Sequence, residues 1–175
     1  KKAFKQFSSL GDEKNNRFNL RWEDRYLCLD DTTGNIDFDR HYVYHLAWAT
    51  RVLKIVNPKE HVDFGSHIYL SSMLSTYYKI KYFELRPPRL DLENLIVAKE
   101  DLTNLSLGNN SVKSLSCMHV VEHIGLGRYG DELDYDGDLK AISELIRILD
   151  NGGNLLFVIP IGHPKIIFNA HRIYS

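Results

Sequence analysis

Only two of the 175 residues are cysteine, Cys28 and Cys117, and neither belongs to a CxxC pair. That scarcity argues against a disulfide scaffold and against a cysteine-built metal or redox motif, leaving reduced, buried or inert thiols as the reading. Such usage reads as intracellular, so a cytoplasmic location is expected. No apolar run nears the roughly 20 residues needed to span a bilayer, and KKAFKQFSSL at the start lacks the apolar stretch of a secretory leader. An excess of one charge sign is also lacking. With 22 basic and 23 acidic residues the formal net charge is −1, and no nucleic-acid partner is expected. The first strand-to-helix turn, HVDFGSH, carries Gly65 alone rather than GxGxxG, and so lacks the close pyrophosphate approach that a nicotinamide dinucleotide requires. There is no internal repeat and no low-complexity tract. The chain begins without methionine, which suggests that a longer natural sequence has been trimmed.

What is present is a hydrophobic content of 43%, enough for one globular core. Residues 1–39 read as a polar lead-in, with GDEKNN and DDTTGN as turn clusters around the short apolar piece RYLCLD. From residue 40 to 175 the pattern changes. Asp39 is placed to cap a helix over Arg40 to Val56, because Tyr42, Leu46, Ala49, Leu53 and Val56 recur at helical spacing, and Asn57 and Pro58 end it. HVDFGS then reads as a strand opening onto a turn, followed by a helix over Ile68 to Tyr78. KIKYFEL, NLIVAKED, SVKSLSCMHV and NLLFVIP read as four more strands. Leu139, Ile142, Ile146 and Leu149 mark an amphipathic helix that starts near Asp138 and ends at an Asn151, Gly152, Gly153 cap. Strands alternating with amphipathic helices predict an α/β, Rossmann-like doubly wound fold. Its sheet is mostly parallel, helices cover both faces, and ligands bind beyond the carboxyl ends of the strands.

The strand endings are therefore the residues to question. The first ends Asp63, Phe64, Gly65, Ser66, His67, where glycine lets the backbone come close to a ligand. The second ends at Glu84, about 20 residues on, where a carboxylate suits two vicinal ribose hydroxyls. The third ends at Asp101 and Leu102, an acceptor for an exocyclic amine beside an apolar cover for adenine. Three acidic strand ends around one glycine turn suggest an adenosine-bearing cofactor without a pyrophosphate.

From Asp39 to Pro160 the chain resembles the class I S-adenosylmethionine-dependent methyltransferases. VDFGSH is similar to their first motif, YFEL to the acidic second and EDL to the adenine loop; SVKSLSCMHVVEHI and LIRILDNGGNLLFVIP are similar to the later strands and turns. EHIGLGRYGD and FNAHRIYS further resemble a bacterial group described mainly as methyltransferase-like proteins of unknown function. The resemblance implies S-adenosylmethionine as cofactor, held by Asp63, Gly65, Ser66, His67, Glu84, Asp101, Leu102, His119 and Glu122. It also implies two further strands, one an antiparallel edge, absent by Ser175, so the sheet is expected to be truncated after its fifth strand. The family's second glycine falls near Ser66 and His67, where side chains stand instead.

By the same resemblance an acceptor approaches over EHIGLGRYGDELDYDGD and IGHPK. His123 is the preferred general base, since imidazole titrates near neutrality and this residue follows a strand end. Hydrogen-bonded scaffolding is its alternative role. Arg128 and Asp131 are candidates to orient a polar acceptor, with Tyr129, His163, Asn169 and His171 as further substrate contacts. Glu122 divides between holding its own loop and contacting the cofactor's amino group. The acceptor class is a small or carbohydrate-type polar molecule, with O-methylation in surface-glycan assembly implied by the bacterial group.

Two metal readings also arise. HVVEH, residues 119–123, spells HxxEH, a zinc-peptidase signature that works only on a helix. Here it follows a strand-like run and precedes Gly125 and Gly127, so His119 is expected on the cofactor side and His123 on the acceptor side. Asp134, Asp136 and Asp138 lack the rest of a calcium loop and read as acidic residues entering a helix. No metal is assigned. His41, Tyr44, His45 and Trp48 cluster on the first long helix and read as packing. A non-catalytic binding or assembly protein, in which His67 has degraded the cofactor pocket, is the alternative to an enzyme.

Overall fold

The computed structural model describes residues 1–10, 18–30, 34 and 36–175. These residues form two units, Lys1–Phe38 and Asp39–Ser175. The first carries the helix α1 (Lys2–Ser8), which buries no residue, and a single 3-10 turn at Trp22–Asp24. Phe4 meets the Trp22 ring edge-on at 5.0 Å, and the Arg25 guanidinium lies 4.4 Å from the same ring. The expected turn cluster GDEKNN, and most of DDTTGN, lie outside the described residues. RYLCLD forms no strand, and Tyr26, Leu27 and Leu29 are exposed.

In the second unit Asp39 caps α2 (Arg40–Val56), its carboxylate accepting the Tyr42 N–H at 3.0 Å. His45, Ala49 and Leu53 are buried at helical spacing. Asn57 ends the helix in the left-handed region, φ +47°, donating its N–H to Leu53 O. Next come β1 (Glu60–Phe64), α3 (Ile68–Leu74), β2 (Lys79–Glu84), β3 (Leu95–Lys99) and β4 (Val112–Met118). α4 (Gly137–Ile148) runs directly into β5 (Leu149–Val158), and β6 (Lys165–Ile167) and β7 (His171–Ile173) close the chain.

The five long strands lie in the order β3-β2-β1-β4-β5, every neighbour parallel. Strand order reverses between β1 and β4, which opens a crevice at their carboxyl ends. Alternation along each strand feeds two cores. Val62, Phe64, Leu115 and Cys117 face Ala141, Leu145 and Ile148 of α4 on one side, while Ile80, Tyr82 and Met118 face Ala49, Leu53, Leu70 and Leu74 of α2 and α3 on the other. Leu115 and Leu145 are at most 1% exposed, and burial of each contributes roughly 2 kcal/mol. This is the doubly wound α/β fold read from the sequence. No helix among the described residues is long and apolar enough to cross a membrane.

Two helices depart from expectation. α3 stops at Leu74 rather than Tyr78, because Ser72, Ser75 and Thr76 hydroxyls donate to carbonyls three or four residues back and close a turn instead. α4 is rotated from its expected face: Leu139 is 57% and Ile146 63% exposed, whereas Asp138, Ala141, Leu145 and Ile148 are buried. A charge at a buried position is what disguised the pattern. Asp138 is paired with the buried Arg172 at 3.6 Å and accepts from the Tyr174 hydroxyl at 2.9 Å. The Asn151, Gly152, Gly153 run lies inside β5, not at a helix cap, next to a register shift against β4.

β6 and β7 pair antiparallel in a hairpin separate from the main sheet. Arg172 ties this hairpin down, donating to the carbonyls of Ile124 at 2.6 Å, Tyr135 at 2.9 Å and Asp134 at 3.3 Å. The loop it grips passes close to itself. Gly125, φ +79°, has no room for a Cβ, which would fall 2.0 Å from Asp134 O.

Candidate functional site

A cavity of about 370 Å³ opens at the carboxyl ends of β1 to β4, where the fold predicts ligand binding. Its floor is Phe64 and Gly65. Gly65 has φ +62°, and a Cβ there would press on both Val120 methyl groups at 3.3 Å. Glu84, at the end of β2, lines the cavity with a buried Oε2 that has no hydrogen-bond partner. Burial pushes its carboxyl above the ordinary range, partly offset by the Arg86 guanidinium and the Leu85 amide. Asp101 and Leu102 line the next wall. Asp101 Oδ1 is engaged by the Thr103 N–H at 2.8 Å and hydroxyl at 2.7 Å, while the buried Leu102 presents an apolar surface. A buried acceptor without a partner beside an open glycine and an apolar wall fits an adenosine-type ligand.

Three residues expected to hold cofactor do other work. Asp63 is 1% exposed and spends its carboxylate inside the sheet, accepting from the Ser116 hydroxyl at 2.9 Å and from the Ser71 hydroxyl. His61 completes that network: Ser114 donates to its Nδ1 and its Nε2–H donates to Ser116 Oγ. Burial pushes the His61 imidazole below its ordinary value, against the pull of Asp63. Ser66 turns inward, where its hydroxyl oxygen accepts the Met118 N–H at 3.1 Å. His67 precedes α3 and packs its ring on Tyr42 and Tyr69, at 5.7 and 5.0 Å, away from the cavity wall. The side chains of Ser66 and His67 thus do not line the cavity.

After β4 the chain turns sharply. His119 takes φ +59°, and Val121–His123 form one 3-10 turn rather than an α-helix. The two histidines of HVVEH therefore diverge around Glu122, and the peptidase geometry is absent. His119 Nδ1 lies 2.8 Å from Glu122 Oε1, and His123 Nε2 lies 4.0 Å from the same oxygen. Glu122 is 1% exposed, its Oε2 is unpartnered, and it does not line the cavity. Both histidines do.

His123 Nδ1–H donates to Ala170 O at 2.6 Å, so its Nε2 carries the lone pair. Burial pushes this imidazole below its ordinary value, opposed by the Ala170 carbonyl and Glu122 and reinforced by Arg128 and His171. Asp131 lines the same cavity but is consumed by its own loop: Gly125, Gly127 and Tyr129 N–H groups donate to it at 2.8, 3.2 and 3.1 Å. Burial pushes its carboxyl up, yet these amides outweigh that and hold it below the usual range. Arg128 is exposed and donates to Ala170 O at 3.1 Å, which makes it a strap to the hairpin. Tyr129 lines the cavity, and the Arg86 and Arg128 guanidiniums lie 5.2 and 5.0 Å from its ring. His171 meets the His123 ring edge-on at 6.3 Å. His163 and Asn169, the other candidate substrate contacts, are exposed on or before the hairpin and do not line the cavity.

Sequence reasoning missed Arg172 and the Ala170 carbonyl, since a three-residue hairpin leaves no periodic signal. It also read His41 and His45 as packing. Their imidazoles gather with His119, and the ligand-capable atoms of the three lie within 4.8 Å of one another.

Residues 96–175 match the family described as "Caenorhabditis protein of unknown function, DUF268", and the resemblance of EHIGLGRYGD and FNAHRIYS to a bacterial group gains no support from that match. No curated protein matches the chain. Among solved structures, the YcgJ protein from Bacillus subtilis is 15% identical with a TM-score of 0.51, covering 66% of this chain and 50% of its own. A candidate S-adenosyl-L-methionine-dependent methyltransferase from Methanococcus maripaludis is 15% identical with a TM-score of 0.45, covering 67% and 55%. A candidate sarcosine dimethylglycine methyltransferase from Galdieria sulphuraria is 14% identical with a TM-score of 0.47, covering 66% and 45%. The chain spans about half the length of these structures. The Bacillus likeness is a likeness of fold, in agreement with the strand order above.

Proposed function

We propose that this chain is an S-adenosylmethionine-dependent methyltransferase acting on a small polar acceptor, carbohydrate-type and methylated at oxygen. The observation that carries the reading is Glu84: a carboxylate on the wall of a cavity at the switch point of a doubly wound sheet, one of its oxygens buried without a partner. Its two oxygens suit vicinal ribose hydroxyls. Gly65 leaves the floor open to the ligand, and Asp101 and Leu102 suit the polar edge and the face of adenine. When bound, the cofactor supplies an electrophilic methyl group. The chain's own part is to shelter and orient, and to accept the proton that a hydroxyl gives up on alkylation. His123 is the group suited to that: its Nδ1 is tied to Ala170, its Nε2 is free for a proton, and burial keeps it neutral near pH 7. Tyr129 shares the cavity wall with it as the acceptor contact.

Against the non-catalytic alternative, in which His67 degrades the pocket, stands the packing of that ring on Tyr42 and Tyr69. Calorimetry with S-adenosylhomocysteine tests the proposal. Binding in the micromolar range is expected, and absence of binding to the folded chain would overturn it.

A further inference from the structure

His41 and His45 lie four residues apart on α2 and so share one face, their ring centroids 4.8 Å apart. His119 reaches the same place from the opposite side, as the first residue after β4. Its φ of +59° is uncommon for a residue with a side chain, and it turns the imidazole toward α2. The result joins two elements 78 positions apart in the chain, with Nε2 of His41 directly facing Nε2 of His119.

The protons of this cluster are arranged for a metal. His45 donates Nδ1–H to the His41 carbonyl at 2.8 Å, which leaves its Nε2 lone pair free. His119 presents Nδ1 to Glu122 Oε1 at 2.8 Å, which does the same for its Nε2. A carboxylate or carbonyl behind each ligating imidazole is the usual outer shell of a histidine metal site. The carboxylate here is deeply buried and its second oxygen is unpartnered. Among the described residues no Lys or Arg hydrogen-bonds or ion-pairs with Glu122, whose partners there are His119 and His123.

We propose that His41, His45 and His119 form a three-histidine site for a divalent transition-metal ion of the zinc class, buttressed by Glu122. Four-coordinate zinc at its usual bond lengths sets nitrogens about 3.3 Å apart. The three nitrogens already lie within 4.8 Å, and His41, the exposed member, is free to adjust. Three protein ligands leave a position open for an oxygen ligand, the arrangement of a catalytic rather than a structural site. His119 also lines the cavity, so that position belongs at the cavity rim. An acceptor hydroxyl held there would lose its proton more readily, which complements His123 if the methyl-transfer reading holds. The site itself is independent of that reading.

The test uses the whole chain, stripped of metal with a chelator and then titrated with Zn²⁺ against a chromophoric competitor, and separately with Co²⁺ followed by visible absorption. One equivalent is expected per chain, with the absorption of low-coordinate cobalt. His41→Ala, at an exposed position, should abolish the absorption and weaken zinc binding by at least about 100-fold. Glu122→Gln should weaken it by about 10- to 100-fold. His163→Ala, an exposed imidazole outside the cluster, should change nothing. Sub-stoichiometric binding, or stoichiometric binding that His41→Ala leaves intact, would overturn the proposal. S-adenosylhomocysteine calorimetry on the metal-free chain reads the methyltransferase proposal separately.

Discussion

The carbonyl oxygen of Ala170 accepts a 2.6 Å hydrogen bond from Nδ1 of His123, across 47 residues of chain. One bond fixes both the ring's orientation and its tautomer. Around it stand Glu122 on the same turn, Arg128 and Tyr129 on the following loop and His171 on the hairpin.

Burial, the largest influence on His123, lowers its pKa, so the imidazole should titrate below about 6.5 and be mostly neutral at pH 7. A rate that depends on it as a base should therefore rise with pH through that lowered value and level off before neutrality. Side-chain nitrogen NMR checks both the midpoint and the Nδ1–H tautomer. A midpoint above the ordinary value would contradict the assignment.

Glu84→Ala should weaken S-adenosylhomocysteine binding by about 10- to 100-fold, the cost of losing hydrogen bonds to a carboxylate. Because its pKa is raised by burial, acidification should weaken wild-type binding in the same direction, as the carboxylate takes up a proton. Calorimetry over a pH series reads both effects.

His67→Gly should leave that affinity within about twofold of wild type, since the ring packs on Tyr42 and Tyr69. A tenfold gain would show that the side chain does crowd the cofactor.

His61 sits neutral in a closed hydroxyl network and its folded pKa is lowered. The unfolded chain then binds more protons below about pH 6.5, so stability is full above that value and falls as pH drops toward the folded pKa. Urea unfolding at a series of pH values should show this slope, and His61→Gln should flatten it.

Arg172→Met should cost roughly 3 kcal/mol, because it strands Asp138 and three carbonyls in a buried setting. Chemical denaturation measures the loss, and hydrogen exchange should rise across residues 124–135 ahead of the sheet.

The sheet was legible because each strand is a short apolar run bounded by turn residues, and Gly65, Glu84 and Leu102 were legible because they end those runs. Asp63 and Ser66 lie beside Phe64 and Gly65 in sequence but on the opposite side of the backbone, where Ser71, Ser116 and the Met118 amide meet them. Motif proximity does not reveal that parity. Helix α4 misled because Asp138 occupies a core position, which is readable only once Arg172, 34 residues later, is known to face it. His41 and His45 stood out as a pair, but their third partner is brought by topology alone.

The three carbonyls gripped by Arg172 are the two feet of the loop that carries Tyr129, while Arg128 to Gly130 at its tip are exposed. Anchored feet and an open tip separate two design problems within one segment. On the proposed methyltransferase reading, Tyr129 and Gly130 at the crown can be exchanged to suit a different acceptor while the imidazole of His123, seated before the first foot and bolted to the hairpin through Ala170, keeps its position. On that reading, diversification of what is recognised need not disturb what reacts.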